Sequence, residues 1–210
     1  GGTVVKNVTG YDLSKLVTGS FGTLVALTEI TLKVLPKKKS SNTITIHTDD
    51  KKLIKDLFEK ISSSSSEVSG AVYIPNEPKD ESYDQNKEMV FKFNDLKYKG
   101  SFLALRIEGD KIAIDEKIKA LTTELELSKL NTTVLDVHQS TPFWKKINNL
   151  ELFKQTKNNL LRVVVPPSKG PKLIQFLGNK YKYYIDWCGS LYWIEVQSKK
   201  NSKVSDIKKL

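Results

Sequence analysis

Residues 1–36 read GGTVVKNVTGYDLSKLVTGSFGTLVALTEITLKVLP, and the rest of the chain reads as a domain hung on this stretch. Val4 and Val5 suit a short extended segment, and Lys6, Asn7, Thr9 and Gly10 are turn formers. Asp12 is placed to cap a short helix whose one face carries Leu13, Leu16 and Val17. Gly19 is placed to stop it in a left-handed conformation. Gly19-Ser20-Phe21-Gly22-Thr23 follows, where two glycines let main-chain amides approach a ligand closely. From Leu27, apolar Ile30, Leu32 and Val34 alternate with Glu29, Thr31 and Lys33, which predicts a half-buried strand ended by Pro36.

The order helix, turn, strand excludes a nucleophile elbow, in which the strand precedes the serine. Neither a dinucleotide fingerprint nor a P-loop is present. On local chemistry alone, the corner is a turn that either serves the backbone or exposes it to a ligand.

Composition narrows the classes. With 210 residues, 39% of them hydrophobic, the chain can bury one good core or slightly more. Its net charge of +10 raises nucleic acid as a partner. That charge is almost all lysine, however, spread along the chain apart from Lys37-Lys38-Lys39 and the tail. Only Arg106 and Arg162 offer the guanidinium that reads phosphate and guanine. Nucleic acid is therefore not expected. A lone Cys188 gives no disulfide framework and fits a reducing cytoplasm. The sequons at Asn7 and Asn131 carry no weight without a secretory signal. No apolar run approaches the roughly 20 residues of a membrane span. The absence of a starting methionine and the opening inside a motif lead us to expect a fragment lacking its N-terminal part.

Further along, residues 43–47 read as a strand. Asp49 or Asp50 then caps a helix striped by Leu53, Ile54, Leu57, Phe58 and Ile61. Residues 62–66 are low-complexity serine, 68–74 a strand, 75–87 an exposed polar loop, and 89–93 and 101–107 two more strands. Asp110 caps a helix carrying Ile114, Ile118, Leu121 and Leu125, and 133–137 is a strand. Residues 43–138 thus follow a ferredoxin-like β-α-β-(β)-β-α-β plan with one extra strand. A shorter second unit follows: a helix over 143–153, a strand over 160–165, a helix over 171–177, and a hairpin pairing 181–186 with 191–196 across Cys188-Gly189-Ser190. A tail after Lys199 begins a helix. The class is α+β, an antiparallel sheet with helices on one side.

VVKNVTGYDLSKL, GSFGTL and LTEITLKVLP together resemble the second half of the FAD-binding domain of vanillyl-alcohol-oxidase, or PCMH-type, flavoproteins. Pro142-Phe143-Trp144, the run LRVVVPP at 161–167 and IDWCGSLYW at 185–193 extend the likeness to nearly the whole chain. They favour the FAD-binding E subunits of bacterial glycolate oxidase (glycolate dehydrogenase). The resemblance implies that residues 1–38 end a cofactor domain and 39–210 form a cap with a large antiparallel sheet over the reacting face of the flavin. It implies FAD contacts at Gly19, Ser20, Gly22, Thr23, Leu24, Leu27 and Thr28, with Lys6, Asn7 and Tyr11 near the flavin ring. One departure is Val25-Ala26, where the family has a small residue first, so bulk there would crowd the backbone beside the cofactor.

The activity implied is oxidation of glycolate, a 2-hydroxy acid, to glyoxylate. Electrons would pass through flavin to an iron–sulphur F subunit and quinone. A related D subunit is the seat of hydride abstraction in that family, which leaves this subunit a second flavin or a structural role. A D-lactate type of dehydrogenase and a non-catalytic subunit remain alternatives. The location implied is cytoplasmic, at the inner face of the bacterial inner membrane. His47, on a strand opposite Ile44 and Ile46, reads as a surface histidine. His138 reads as a loop residue after a strand and Cys188 as an inert thiol. No residue spacing matches a metal site. The aromatic hairpin at 186–193 reads as sheet core or as a surface meeting a partner subunit.

Overall fold

The computed structural model describes residues 11–76, 91–93, 96–98, 100–154, 156–178 and 180–196. The chain divides into two compact units, Gly1–Lys37 and Lys38–Leu210.

In the first unit a single short helix, α1 (Leu13–Val17), starts at Asp12, whose carboxylate accepts from the Lys15 amide, and Thr18 closes it. Gly19 follows at φ 82°. This is the cap and stop that Asp12 and Gly19 predict. The strand expected from Leu27 does not form: residues 29–38 have no regular structure. Ile30, Leu32 and Val34 are 64%, 75% and 77% exposed. A strand needs a neighbour to take its amides and carbonyls and a core to take its apolar face. The described residues of this unit supply neither.

The second unit is built on a seven-stranded antiparallel sheet. Its elements run β1 (Ser40–His47), α2 (Lys51–Ser63), β2 (Gly70–Ile74), β3 (Phe91–Phe93), β4 (Leu96–Tyr98), β5 (Phe102–Gly109), α3 (Lys111–Glu124), β6 (Thr132–Leu135), α4 (Val137–Asn148), β7 (Asn159–Val164), α5 (Gly170–Leu177), β8 (Tyr183–Asp186) and β9 (Leu191–Val196). The sheet order is β6-β1-β5-β2-β8-β9-β7, and β3 and β4 form a separate ladder. Strands β1, β2, β5 and β6 with α2 and α3 are the expected ferredoxin-like plan. The extra strand lies in the separate ladder, not in the sheet. Strands β7, β8 and β9 repeat the same split β-α-β: α5 joins β7 to β8, and β9 lies between them. The two halves meet through β2 and β8, where Tyr73 pairs with Ile185.

Alternation sorts side chains to two faces. On one face Ile44, Ile46, Leu103, Leu105, Tyr73, Ile185, Tyr192 and Ile194 pack under α2, α3 and α5. On the other, Val72, Ile74, Phe102, Ala104, Leu135 and Tyr184 pack under Phe143, Trp144 and Ile147 of α4. Helices therefore lie on both sides rather than one. The reason is visible in β5, where Phe102, Leu103, Ala104 and Leu105 are successive and all buried, so both faces need cover.

Helix α4 also begins at Val137, six residues before the expected start, and β6 ends at Leu135. Asp136 and Gln139 form a capping box there. Pro142 sits inside α4 and sacrifices one helical hydrogen bond. Phe153 belongs to a separate 3-10 turn after Leu150, which is left-handed at φ 55°. The hairpin of β8 and β9 forms as its alternation predicts, Tyr184 facing Trp193 and Ile185 facing Tyr192. The loop expected over 75–87 and the tail after Lys199 fall mostly or wholly outside the described residues.

Candidate functional site

The corner after α1 is a run of tight turns. Thr18 donates its amide to Ser14 O (3.1 Å), Ser20 to Val17 O (3.1 Å) and Thr23 to Ser20 O (3.0 Å). The Thr23 hydroxyl adds a 2.6 Å bond to the same Ser20 carbonyl. Gly19, Phe21 and Gly22 lie at φ 82°, 50° and 74°. A Cβ on either glycine would meet no atom within 4 Å, so left-handed geometry and not contact demands glycine there. The amides of Phe21 and Gly22 have no hydrogen-bond partner among the described residues. Upstream, the Ser14 hydroxyl and then the Lys15 amide hold the Asp12 carboxyl below its ordinary value.

The structure thus brings Gly19, Ser20, Gly22 and Thr23 into one turn. Leu24 and Leu27 follow with 59% and 57% of their surface exposed, and Thr28 is exposed beside them. Tyr11 is 93% exposed and uses its carbonyl to accept the Leu13 amide. Val25, whose bulk was expected to crowd the backbone beside a cofactor, is exposed. Lys6 and Asn7 lie outside the described residues. Past the C-terminal end of α1 the corner thus presents two amides with no partner among the described residues, beside two open glycines and ahead of exposed leucine surface: donors of the kind a diphosphate takes and apolar area of the kind a flavin ring takes.

In the second unit, the sheet face that bears α4 also carries both arginines. The Arg106 guanidinium lies 5.0 Å from the Trp144 ring and donates to Ser69 Oγ (3.0 Å) and Ser69 O (3.2 Å), with Glu108 at 3.5 Å. Arg162, on β7 opposite Trp193, lies 5.2 Å from the Trp187 ring and 5.9 Å from that of Trp193. It is exposed and has no carboxylate partner among the described residues. A guanidinium whose charge is met by indole rings rather than by a carboxylate keeps N–H donors available to an anion. Nearby, burial raises the Asp186 carboxyl above its ordinary value, against the pull of the Trp187 amide and the Arg106 charge. In the sequence Arg106 and Arg162 bear on nucleic acid, and Arg162 also falls in the LRVVVPP run, but neither stands out as a site residue. Their rarity in a lysine-rich chain was the available signal.

The other candidates are ordinary. His47 is half-buried against Phe102, and burial lowers its pKa. His138 lies exposed in the first turn of α4, not in a loop, and donates its amide to Asp136. Burial raises the Cys188 thiol. No three His, Cys, Asp or Glu side chains group as a metal site among the described residues. No helix among them is long and apolar enough to cross a membrane.

An α+β chain with an open glycine corner in one unit and a two-faced antiparallel sheet in the other is the class these observations define. No family model matches it. It is similar to the glycolate oxidase subunit GlcE of Escherichia coli (strain K12), 61% identical over 41 residues. That stretch is 20% of this chain and 12% of the relative. It is also similar to the glycolate oxidase subunit GlcD of Bacillus subtilis (strain 168), 36% identical over 72 residues, or 34% of this chain and 13% of the relative. The chain thus spans about an eighth of the length of the curated relatives it matches.

Proposed function

We propose that this chain is part of an FAD-binding glycolate oxidase subunit, with residues 1–38 from its cofactor domain and 39–210 from its cap. The observation that carries the reading is the open turn at residues 19–23, where the amides of Phe21 and Gly22 have no partner among the described residues, in a chain similar to two glycolate oxidase subunits. FAD would supply the two-electron acceptor for oxidation of glycolate to glyoxylate. The chain's own part is binding and orientation. Gly19, Ser20, Gly22 and Thr23 present main-chain amides to the nucleotide, Leu24, Leu27 and Thr28 line its path, and Lys6, Asn7 and Tyr11 flank the ring. The reading includes a D subunit that performs the chemistry, an iron–sulphur F subunit that carries electrons to quinone, and a cytoplasmic site at the inner membrane face.

The test is made in the full-length protein assembled with its partner subunits. Gly22→Val forces a β-branched residue into a left-handed conformation. It is expected to weaken FAD binding at least about tenfold, equivalent to about 1.4 kcal/mol. Full flavin retention in Gly22→Val would sink the cofactor assignment, and faster turnover of D-lactate than of glycolate would replace the substrate. The 210-residue chain alone is expected to bind FAD weakly, because the corner offers amides without a phosphate loop. Tight binding with a shifted flavin spectrum would contradict that.

A further inference from the structure

Strands β6 and β7 are the two edges of the seven-stranded sheet. The first is four residues long. The second has six, matches β9 residue for residue without a bulge, and meets proline only past its end, at Pro166 and Pro167. Two hydrogen bonds show which of its groups face outward. Val165 donates its amide inward to Ser190 O at 2.9 Å, and Glu195 on β9 donates its amide away from β7, to Lys182 O at 2.8 Å. Main-chain groups alternate between the two sides of a strand. Leu160, Arg162 and Val164, opposite Glu195, Trp193 and Leu191, therefore turn their amides and carbonyls outward. These groups have no hydrogen-bond partner among the described residues.

An open ladder of this kind recruits another strand, and native sheets blunt it with bulges, prolines or charges. Along β7 the one such device is Arg162, set in an apolar run: Val164 is 53% exposed, and Leu160, Leu161 and Val163 are half-buried. The guanidinium has the Trp187 and Trp193 rings beside it and no carboxylate partner among the described residues. Glu195, opposite Leu160, instead accepts from the Thr156 hydroxyl and the Asn158 side-chain amide at 2.6 Å each.

We infer that β7 is a docking edge that takes an extended acidic segment of a partner protein as an added antiparallel strand, with a carboxylate side chain opposite Arg162 and apolar side chains opposite Leu160 and Val164. Charge selects this occupant. A second copy in full two-fold register would set Arg162 against Arg162, and like charges directly opposite destabilise a sheet. Each copy also carries a net charge of +10. The chain's own residues 197–210 contain five lysines and one aspartate, which is again the wrong sign. The inference goes beyond the proposed flavin function and does not depend on it.

The probe is a capped seven-residue peptide with valine, glutamate and valine at its second, fourth and sixth positions and threonine elsewhere. Its twin carries glutamine at the fourth. Each is titrated into the 210-residue chain, with binding followed by amide chemical shifts and strand pairing by amide hydrogen exchange. At saturation the Leu160, Arg162 and Val164 amides should exchange at least about tenfold more slowly, while those of Leu161 and Val163, which face β9, change little. The glutamate peptide should bind about fivefold tighter than its twin, and Arg162→Gln should erase that difference while keeping the exchange protection. Binding without protection at those three amides overturns the inference, as does equal affinity of the two peptides or failure of both to bind. Protection that appears without peptide and grows with protein concentration assigns the edge to a second copy and overturns it too. Should Arg162→Gln fail to fold, the two peptides compared on the wild-type chain still decide.

Discussion

Thr43, on β1, ties α4 to the sheet. Its hydroxyl oxygen accepts from the Trp144 indole N–H at 2.9 Å and lies 2.7 Å from Ser140 Oγ, which also meets Ser41 Oγ at 2.9 Å. All but Ser41 are buried. Thr43→Val keeps the volume, strands the Trp144 N–H and leaves Ser140 only its bond to Ser41, so it is expected to cost about 1–3 kcal/mol. Urea unfolding should show a lower midpoint with an unchanged m-value. His47 gives a pH signature. Burial depresses its folded pKa below the unfolded value, so the unfolded chain takes up the proton first as pH falls. Stability should be full above the ordinary histidine range, near pH 6.5, and fall as pH drops below it. His47→Gln should flatten that part of the urea midpoint profile, and an unchanged slope would assign the loss to other groups.

Helix starts were legible where a short polar side chain precedes an apolar stripe. Asp12 caps α1, and Asp50 caps α2 by accepting from the amides of Lys52 and Leu53. The start of α4 was missed although Asp136 and Gln139 carry the same information. Pro142 and the polar run His138-Gln139-Ser140-Thr141 read locally as loop, and burial of Phe143, Trp144 and Ile147 outweighs them. The Asp136 carboxylate accepts from the His138 and Gln139 amides at 2.9 and 3.0 Å. Asp136→Ala should therefore cost about 1 kcal/mol in urea unfolding, while Asp136→Asn should cost much less. The alternation over residues 29–34 was equally plain, but a period of two states only what a strand would look like. Pairing comes from elsewhere, and no neighbour is described there. The Arg162 setting was invisible for a related reason: Trp193 reaches it by pairing across strands and Trp187 through the hairpin turn. The glycine corner, by contrast, was readable because its geometry is local.

Across the whole molecule, both apolar clusters draw every buried member from residues 44–196. A chain beginning at Lys38 is accordingly expected to fold by itself, with a single cooperative unfolding transition by circular dichroism and tyrosine fluorescence alike. Non-coincident transitions would show that the two halves of the sheet melt separately. Their junction also orders assembly. Strands β1, β2, β5 and β6 come from contiguous chain and can close while synthesis continues, whereas β8 reaches its place beside β2 only after more than half the later sequence has emerged. Until then the outer backbone of β2 stands unpaired next to Tyr73 and Ile74. The nascent protein is most exposed to sticking to its neighbours on the ribosome at that seam, which the finished molecule hides at the centre of its sheet.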